Sequence, residues 1–155
     1  MHRWLPAAIL GFLVAAAFCV APSVAPAGTA QNTQNTETFK ARLSPVPINI
    51  MMMSTIAGDG SLTATLRGNQ LTIQGTFEGL LSPATTARIH VAPKGIPGPA
   101  VANLELVVTK ALRGTVNGTV ELTADQVADL RKGRWYVQIQ SERAPDGNLW
   151  GWLLQ

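Results

Sequence analysis

Cysteine is all but missing from this sequence. The single example, Cys19, lies in a stretch that reads as a removable leader, so the rest of the chain can build neither a disulfide nor a thiolate metal site. Stability must then come from burial and strand pairing. Histidine is nearly as scarce, and beyond His2 only His90 remains for metal or proton-transfer chemistry. No run of Lys and Arg interleaved with aromatics is present, which argues against nucleic acid as a partner. A Gly-x-Ser-x-Gly elbow is also absent, so Ser82, Ser141 and His90 have no hydrolase framework around them. There is no internal repeat.

The first thirty residues differ from the rest. His2 and Arg3 form a weak positive start, residues 5–21 are nearly all apolar and uncharged, and small residues and prolines follow. Ala25-Pro26-Ala27 and Gly28-Thr29-Ala30 precede the polar Gln31. This is the layout of a secretory signal peptide over residues 1–30, with cleavage expected after Ala27 or Ala30. The apolar run is short for a membrane span, so membrane attachment is expected only through an uncleaved leader. Phe18 is a poor residue before a lipidated cysteine, which disfavours a lipid anchor at Cys19. The expected location is the periplasm or outside the cell.

Residues 31–38, rich in Asn, Thr and Gln, read as a flexible polar spacer. Residues 39–155 are long enough for one domain with its own core. Without Arg3, eleven basic residues face nine acidic ones, so the excess of positive charge is small and scattered.

Short alternating segments fill this domain. Residues 39–43, 61–66, 70–78, 87–91, 100–109, 115–122, 134–140 and 148–154 each place apolar side chains at every second position. Turn signals separate them, among them Gly58-Asp59-Gly60, Gly68-Asn69 and Ala144-Pro145-Asp146-Gly147. One helix is expected at 124–132, because Thr123-Ala124-Asp125-Gln126 fits a capping box and Gly133 can end the turn. Eight short strands with little helix indicate an all-β antiparallel sandwich or barrel. Met51, Met52 and Met53 could offer soft copper ligands, but flexible filler at a sheet edge or core rim is the simpler reading.

The segment around His90 opens into the Gly/Pro-rich loop of residues 94–99, with Arg88 and His90 on one face and Ile89 and Val91 on the other. No acidic residue lies close to His90 in sequence, and Arg88 would repel a cation. No metal site is expected; His90 would be its centre if one existed. Asp125 and Asp129, four apart on the helix, mark a solvated face. Trp150 and Trp152 share one face of the last strand, opposite Leu149, Gly151 and Leu153. They could form an aromatic platform for a sugar or a protein, or pack against Trp135 in the core or under a loop.

The order of these features resembles the CHRD domain, a module first described as a repeat in chordin and found singly in exported bacterial proteins. The resemblance runs through Leu43-Ser44, Gly58-Asp59-Gly60, Gly79-Leu80, Ala87-Arg88-Ile89-His90, Gly98-Pro99, Leu130 to Val137 and Pro145 to Gly151. It implies a Greek-key sandwich of immunoglobulin-like or Cu/Zn superoxide dismutase-like type. Family members commonly carry histidines where this chain has Arg88 and Gln140, and an arginine where it has Trp150. Arg88, His90 and Gln140 are therefore candidates for a polar ligand-binding cluster.

The resulting expectation is an exported, non-catalytic binding or structural module without a cofactor, its partner an unknown protein or glycan of the cell envelope. A Cu/Zn-dependent dismutase-like or metal-carrier function is the alternative. Glycan or cell-wall binding through Trp150 and Trp152 is a further one.

Overall fold

A computed structural model describes residues 35–46, 49–110 and 112–155, without the side chains of 106–110. The leader, its cleavage site and the first half of the expected spacer lie outside the described residues. The strands are β1 (Thr36–Pro45), β2 (Asp59–Arg67), β3 (Gln70–Glu78), β4 (Ala84–Val91), β5 (Ala100–Lys110), β6 (Arg113–Glu121), β7 (Trp135–Ser141) and β8 (Ala144–Trp152). Helix α1 (Ala124–Arg131) connects β6 to β7. Every strand runs antiparallel to its neighbours, in the order β1-β2-β3-β6-β5-β4-β7-β8. Pairing of Ser44 and Pro45 with Trp150 and Leu149 returns the sheet to its first strand. Lys40 and Leu154 add two backbone hydrogen bonds of 2.7 and 2.9 Å to that seam.

The all-β antiparallel class and the short helix are as expected, but the architecture is a closed barrel and not a two-layer sandwich. The inward side chains give the reason. Across β1, β2, β3 and β6 one rank reads Phe39, Ala64, Ile73 and Gly118, the next Ala41, Leu62, Gly75 and Val116, and the third Leu43, Gly60, Phe77 and Gly114. Large and small residues thus alternate both along and across the strands. Inward side chains of a tightly curved sheet converge, so a large one fits only beside small ones. Gly75 shows how close the fit is, because a Cβ there would meet the Leu62 side chain and the Ser61 carbonyl oxygen. Leu71, Ile89, Leu130, Trp135, Val137, Ile139, Leu149 and Leu153 complete the core.

Three local differences from the sequence reading have physical causes. Strand β1 begins at Thr36, inside the stretch read as a spacer, where Thr36, Glu37 and Thr38 pair with Arg67, Leu66 and Thr65. The two-residue turn between β7 and β8 is Glu142-Arg143, not Ala144 to Gly147. Ser141 pairs with Ala144 and Ile139 with Leu149, so Pro145, Asp146 and Gly147 are taken up as a bulge within β8, with Gly147 at φ 129°. The methionines form a 3-10 turn, Ile50–Ser54, where Asn49 caps the Met52 N–H. Met52 packs with Ile56 and Ala144, while Met51 and Met53 face solvent.

The capping box of α1 is formed as expected: the Gln126 N–H donates to the Thr123 hydroxyl at 3.3 Å, and the Thr123 N–H to the Gln126 side chain at 2.8 Å. Val127 and Leu130 turn into the core, and Gly133 at φ 67° ends the helix. Arg131 forks onto Glu37 of β1, with nitrogen–oxygen distances from 2.5 to 3.2 Å. This hydrogen-bonded contact is the main reason the Glu37 carboxyl titrates below its ordinary value. As pH falls, the unfolded chain therefore takes up this proton first. The bridge contributes fully above the ordinary carboxylate pKa of about 4.3 and is lost as pH drops through the lowered one. Both groups face solvent, so the effect is small. Glu37→Gln is expected to leave the neutral-pH melting temperature within about 2 °C of the parent and to flatten slightly its decline below pH 4.3. Thermal melts across that range check it.

Candidate functional site

Outward residues of β4, β7 and β8 form a cluster against the barrel wall. Its ranks follow from the register: His90 lies opposite Tyr136, and Tyr136 opposite Trp152. One step along, Arg88 lies opposite Gln138, and Gln138 opposite Trp150; beyond that, Thr86 faces Gln140. Outward positions of a barrel strand are usually wet, yet His90 is only 8% exposed and Trp150 only 3%. Gly98, in the loop after β4, closes over His90, and Trp150 is packed against Tyr136, Trp152 and Gly147.

Tyr136 stands at the centre. Its ring stacks on His90 with centroids 5.0 Å apart and on Trp150 at 5.3 Å, the latter nearly parallel, and Trp152 leans on it at 5.0 Å. Such contacts contribute about 0.5–1.5 kcal/mol each beyond the area they bury. The Tyr136 hydroxyl accepts the Gly98 N–H at 2.9 Å. Burial raises the pKa of this phenol, and the hydrogen bond to Gly98 opposes that only in part.

His90 holds the same glycine from the other side. Its Nδ1 lies 2.8 Å from the Gly98 carbonyl oxygen. That oxygen can only accept, so Nδ1 is the donor in this contact. Gly98 fits because it lacks a side chain: a Cβ would run into the Val91 carbonyl and stand 2.6 Å from the Ala92 Cβ. The geometry makes His90, Tyr136 and Gly98 a latch that closes the loop over the barrel wall.

Gln138 and Gly147 make a second closure. Gln138 is buried and donates from Nε2 to the Asp146 carbonyl at 2.5 Å, which holds the β8 bulge down. A Cβ on Gly147 would collide with the Gln138 amide and stand 2.5 Å from Trp150 Nε1. Asn148, fully buried, accepts the Ala57 N–H at 3.1 Å and so ties the β1–β2 connection to β8.

The three polar candidates share this outer face but do not converge. Gln140 accepts a hydrogen bond from the Thr86 hydroxyl, His90 is held at Gly98, and Arg88 lies in the rank between them. Gln140 and Tyr136 are four residues apart on β7, on the order of 13 Å. Trp150 and Trp152 do come together, at 6.1 Å, but Trp150 is enclosed by its neighbours and presents no open ring face. Trp135 is not their partner; it points into the barrel core.

Ser82 and Ser141 lie at the opposite end of β4 and β7 from His90, and Ser82 accepts the Arg143 N–H at 3.0 Å. Asp129 pairs with Arg134 at 3.0 Å. Among the described residues no three His, Cys, Asp or Glu side chains come together at metal-binding distance. The residues around His90 therefore do not fit a dismutase-type metal centre. Its Nε2 is buried and unpartnered, but its neighbours are aromatic rings and a backbone glycine.

Tyr136, Gly98, Gln138 and Gly147 carry this face; from sequence Tyr136, Gly98 and Gly147 stand out only as positions of the family resemblance and Gln138 only as a strand residue. Tyr136 sits at an outward position of β7, next to a strand with two outward tryptophans. Three large aromatics on the nominally wet side of adjacent strands were the available signal.

Neither the curated proteins nor the solved structures contain a match to this chain. The family model described as the CHRD domain matches residues 39–153, which is the barrel from the core residue Phe39 of β1 to Leu153 just past β8, all but the first three residues of β1. The match covers most of the sequence, and the chain belongs to the CHRD-domain family.

Proposed function

We propose that the chain is an exported, non-catalytic binding or structural module acting in the periplasm or outside the cell. The signal-peptide layout of residues 1–30 supports export, and membership of a non-enzymatic domain family supports the absence of catalysis. The observation that carries the reading is the use to which His90 is put. Its proton is bound to the Gly98 carbonyl and its ring face is covered by Tyr136. A general base needs a free edge within reach of substrate, and a buried latch offers none. In the connectivity, β7 returns to lie beside β4, which supports the Greek-key part of the expected fold.

His90→Ala is expected to lower stability by about 2 kcal/mol, through the lost hydrogen bond and the lost stack. The purified chain, incubated with Cu(II) or Zn(II) and desalted, is expected to retain no stoichiometric metal. Retention of one equivalent that disappears in His90→Ala would overturn the non-catalytic reading in favour of the metal-dependent one.

A further inference from the structure

The opposite outer wall, formed by β1, β2, β3 and β6, is built quite differently. Among the described residues no loop folds over it. A barrel wall is waisted like a hyperboloid, so its outer surface is concave along the axis, and here the concavity is an open cleft of about 1010 Å³. A second hollow continues it and shares Thr63, Thr76 and Thr115 with the first. The outward ranks that line it contain no apolar side chain. One reads Arg42, Ser61, Thr76 and Thr115; the next reads Lys40, Thr63, Gln74 and Asn117.

Five charged residues line it: Lys40 and Arg42 on β1, Asp59 on β2, Glu78 on β3, and Arg113 on β6, which stands beside Glu78 because its neighbour Gly114 pairs with Phe77. Lys40 and Arg42 stand two residues apart on β1, so both project from the same face about 7 Å from one another. Neither makes an ion pair among the described residues. Asp59 and Glu78 face each other directly across β2 and β3 at one end of the cleft. Two carboxylates placed opposite each other destabilise a sheet, so this arrangement contributes nothing to the fold. Thr63, Gln74 and Asn117, which continue the rank of Lys40, make no side-chain hydrogen bond to the protein among the described residues.

We propose that this cleft binds an acidic polysaccharide, a chain whose sugar units carry both carboxylates and hydroxyls. Arg42 and Lys40 hold the carboxylates, the guanidinium by its two-pronged geometry. Ser61, Thr63, Gln74, Thr76 and Asn117 exchange hydrogen bonds with ring hydroxyls, and Asp59 and Glu78 accept from hydroxyls at the end of the cleft. Single-stranded nucleic acid fits less well, because Phe77, the one aromatic of the lining, is buried in the core and offers no face to stack a base, and the two carboxylates repel a continuous phosphate backbone. This inference names a ligand class for the binding module proposed above and rests on that reading.

Titration of the purified chain with oligogalacturonate, with a neutral galactan oligomer as comparison, tests it. Oligogalacturonate is expected to bind, to weaken with added salt, and to lose affinity roughly tenfold or more in the double variant Lys40→Gln, Arg42→Gln. Both side chains are exposed, so the variant should melt with the parent, and an unchanged melt confirms that only the site was altered. Equal binding of the neutral oligomer, undiminished binding in the double variant, or no binding of oligogalacturonate would each overturn the proposal. The last outcome leaves the non-catalytic reading standing. Shortening of the bound oligomer during incubation would uphold the cleft and overturn the non-catalytic reading instead.

Discussion

A chain truncated after Asp146 is expected not to fold. Strand β8 lies between β7 and β1, and its loss opens the barrel along both seams. Leu149 and Leu153, both fully buried, and Trp150, nearly so, would leave with it. At about 1.5–3 kcal/mol for each leucine and 3–5 for the tryptophan, they alone represent roughly 6–11 kcal/mol. A domain of this size is stable by only about 5–15 kcal/mol. The remaining β1 and β7 would become unpaired edges, each a template for association between chains. The truncated product should therefore collect in the insoluble fraction or show no cooperative melt by circular dichroism. A soluble variant with a cooperative transition would mean that seven strands close without β8.

Alternation made the individual strands legible. The expected 70–78 strand coincides with β3, and the capping box placed α1 within one residue of its observed end. Closure was not legible, because it depends on which residues stand side by side on different strands. Gly60 reads as part of a turn, and Gly75 and Gly118 each interrupt an alternating segment and look like weak points in a single strand. Only the register shows that they lie beside Phe77, Leu62 and Ile73. The Pro145-Asp146-Gly147 stretch failed for a related reason. Its composition is that of a turn, but the chain reverses two residues earlier and absorbs these residues as a bulge held by Gln138.

The site was legible only in part. His90 and the tryptophan pair were visible as rare side chains at outward positions. Their meeting point, Tyr136, sits in a strand whose alternation is satisfied by Trp135, Val137 and Ile139, so nothing in that strand alone marked it. The polar cleft was invisible for a different reason. Outward Thr, Ser and Gln are ordinary on any exposed strand, and only the pairing of four strands reveals a continuous polar surface with Lys40 and Arg42 along one edge.

Gly75→Val is expected to destabilise the barrel by about 3 kcal/mol or more, lowering the melting temperature by roughly 10 °C or more. Valine favours strands, so a scale of strand preference applied to this position would forecast a gain. The neighbours decide otherwise. A Cβ at residue 75 would meet the Ser61 carbonyl oxygen and the Leu62 side chain, and would stand 2.9 Å from the Leu62 Cα. Two of these three atoms belong to the backbone of the adjacent strand and cannot turn aside. Relief would require β2 and β3 to separate, which breaks the rank of Ala41, Leu62, Gly75 and Val116 on which the curvature depends. Gly118→Ala provides the contrast. The nearest atom there is the Leu104 Cδ2 at 2.5 Å, the end of a flexible side chain, and the Leu104 Cα is 3.7 Å away. A rotation of Leu104 makes room, and the lost backbone freedom of the unfolded chain offsets about 0.4–1 kcal/mol of the cost. Gly118→Ala should thus melt within a few degrees of the parent. Equal losses for the two variants would mean that strand composition, and not the interlocking of large and small residues, sets the stability of this barrel.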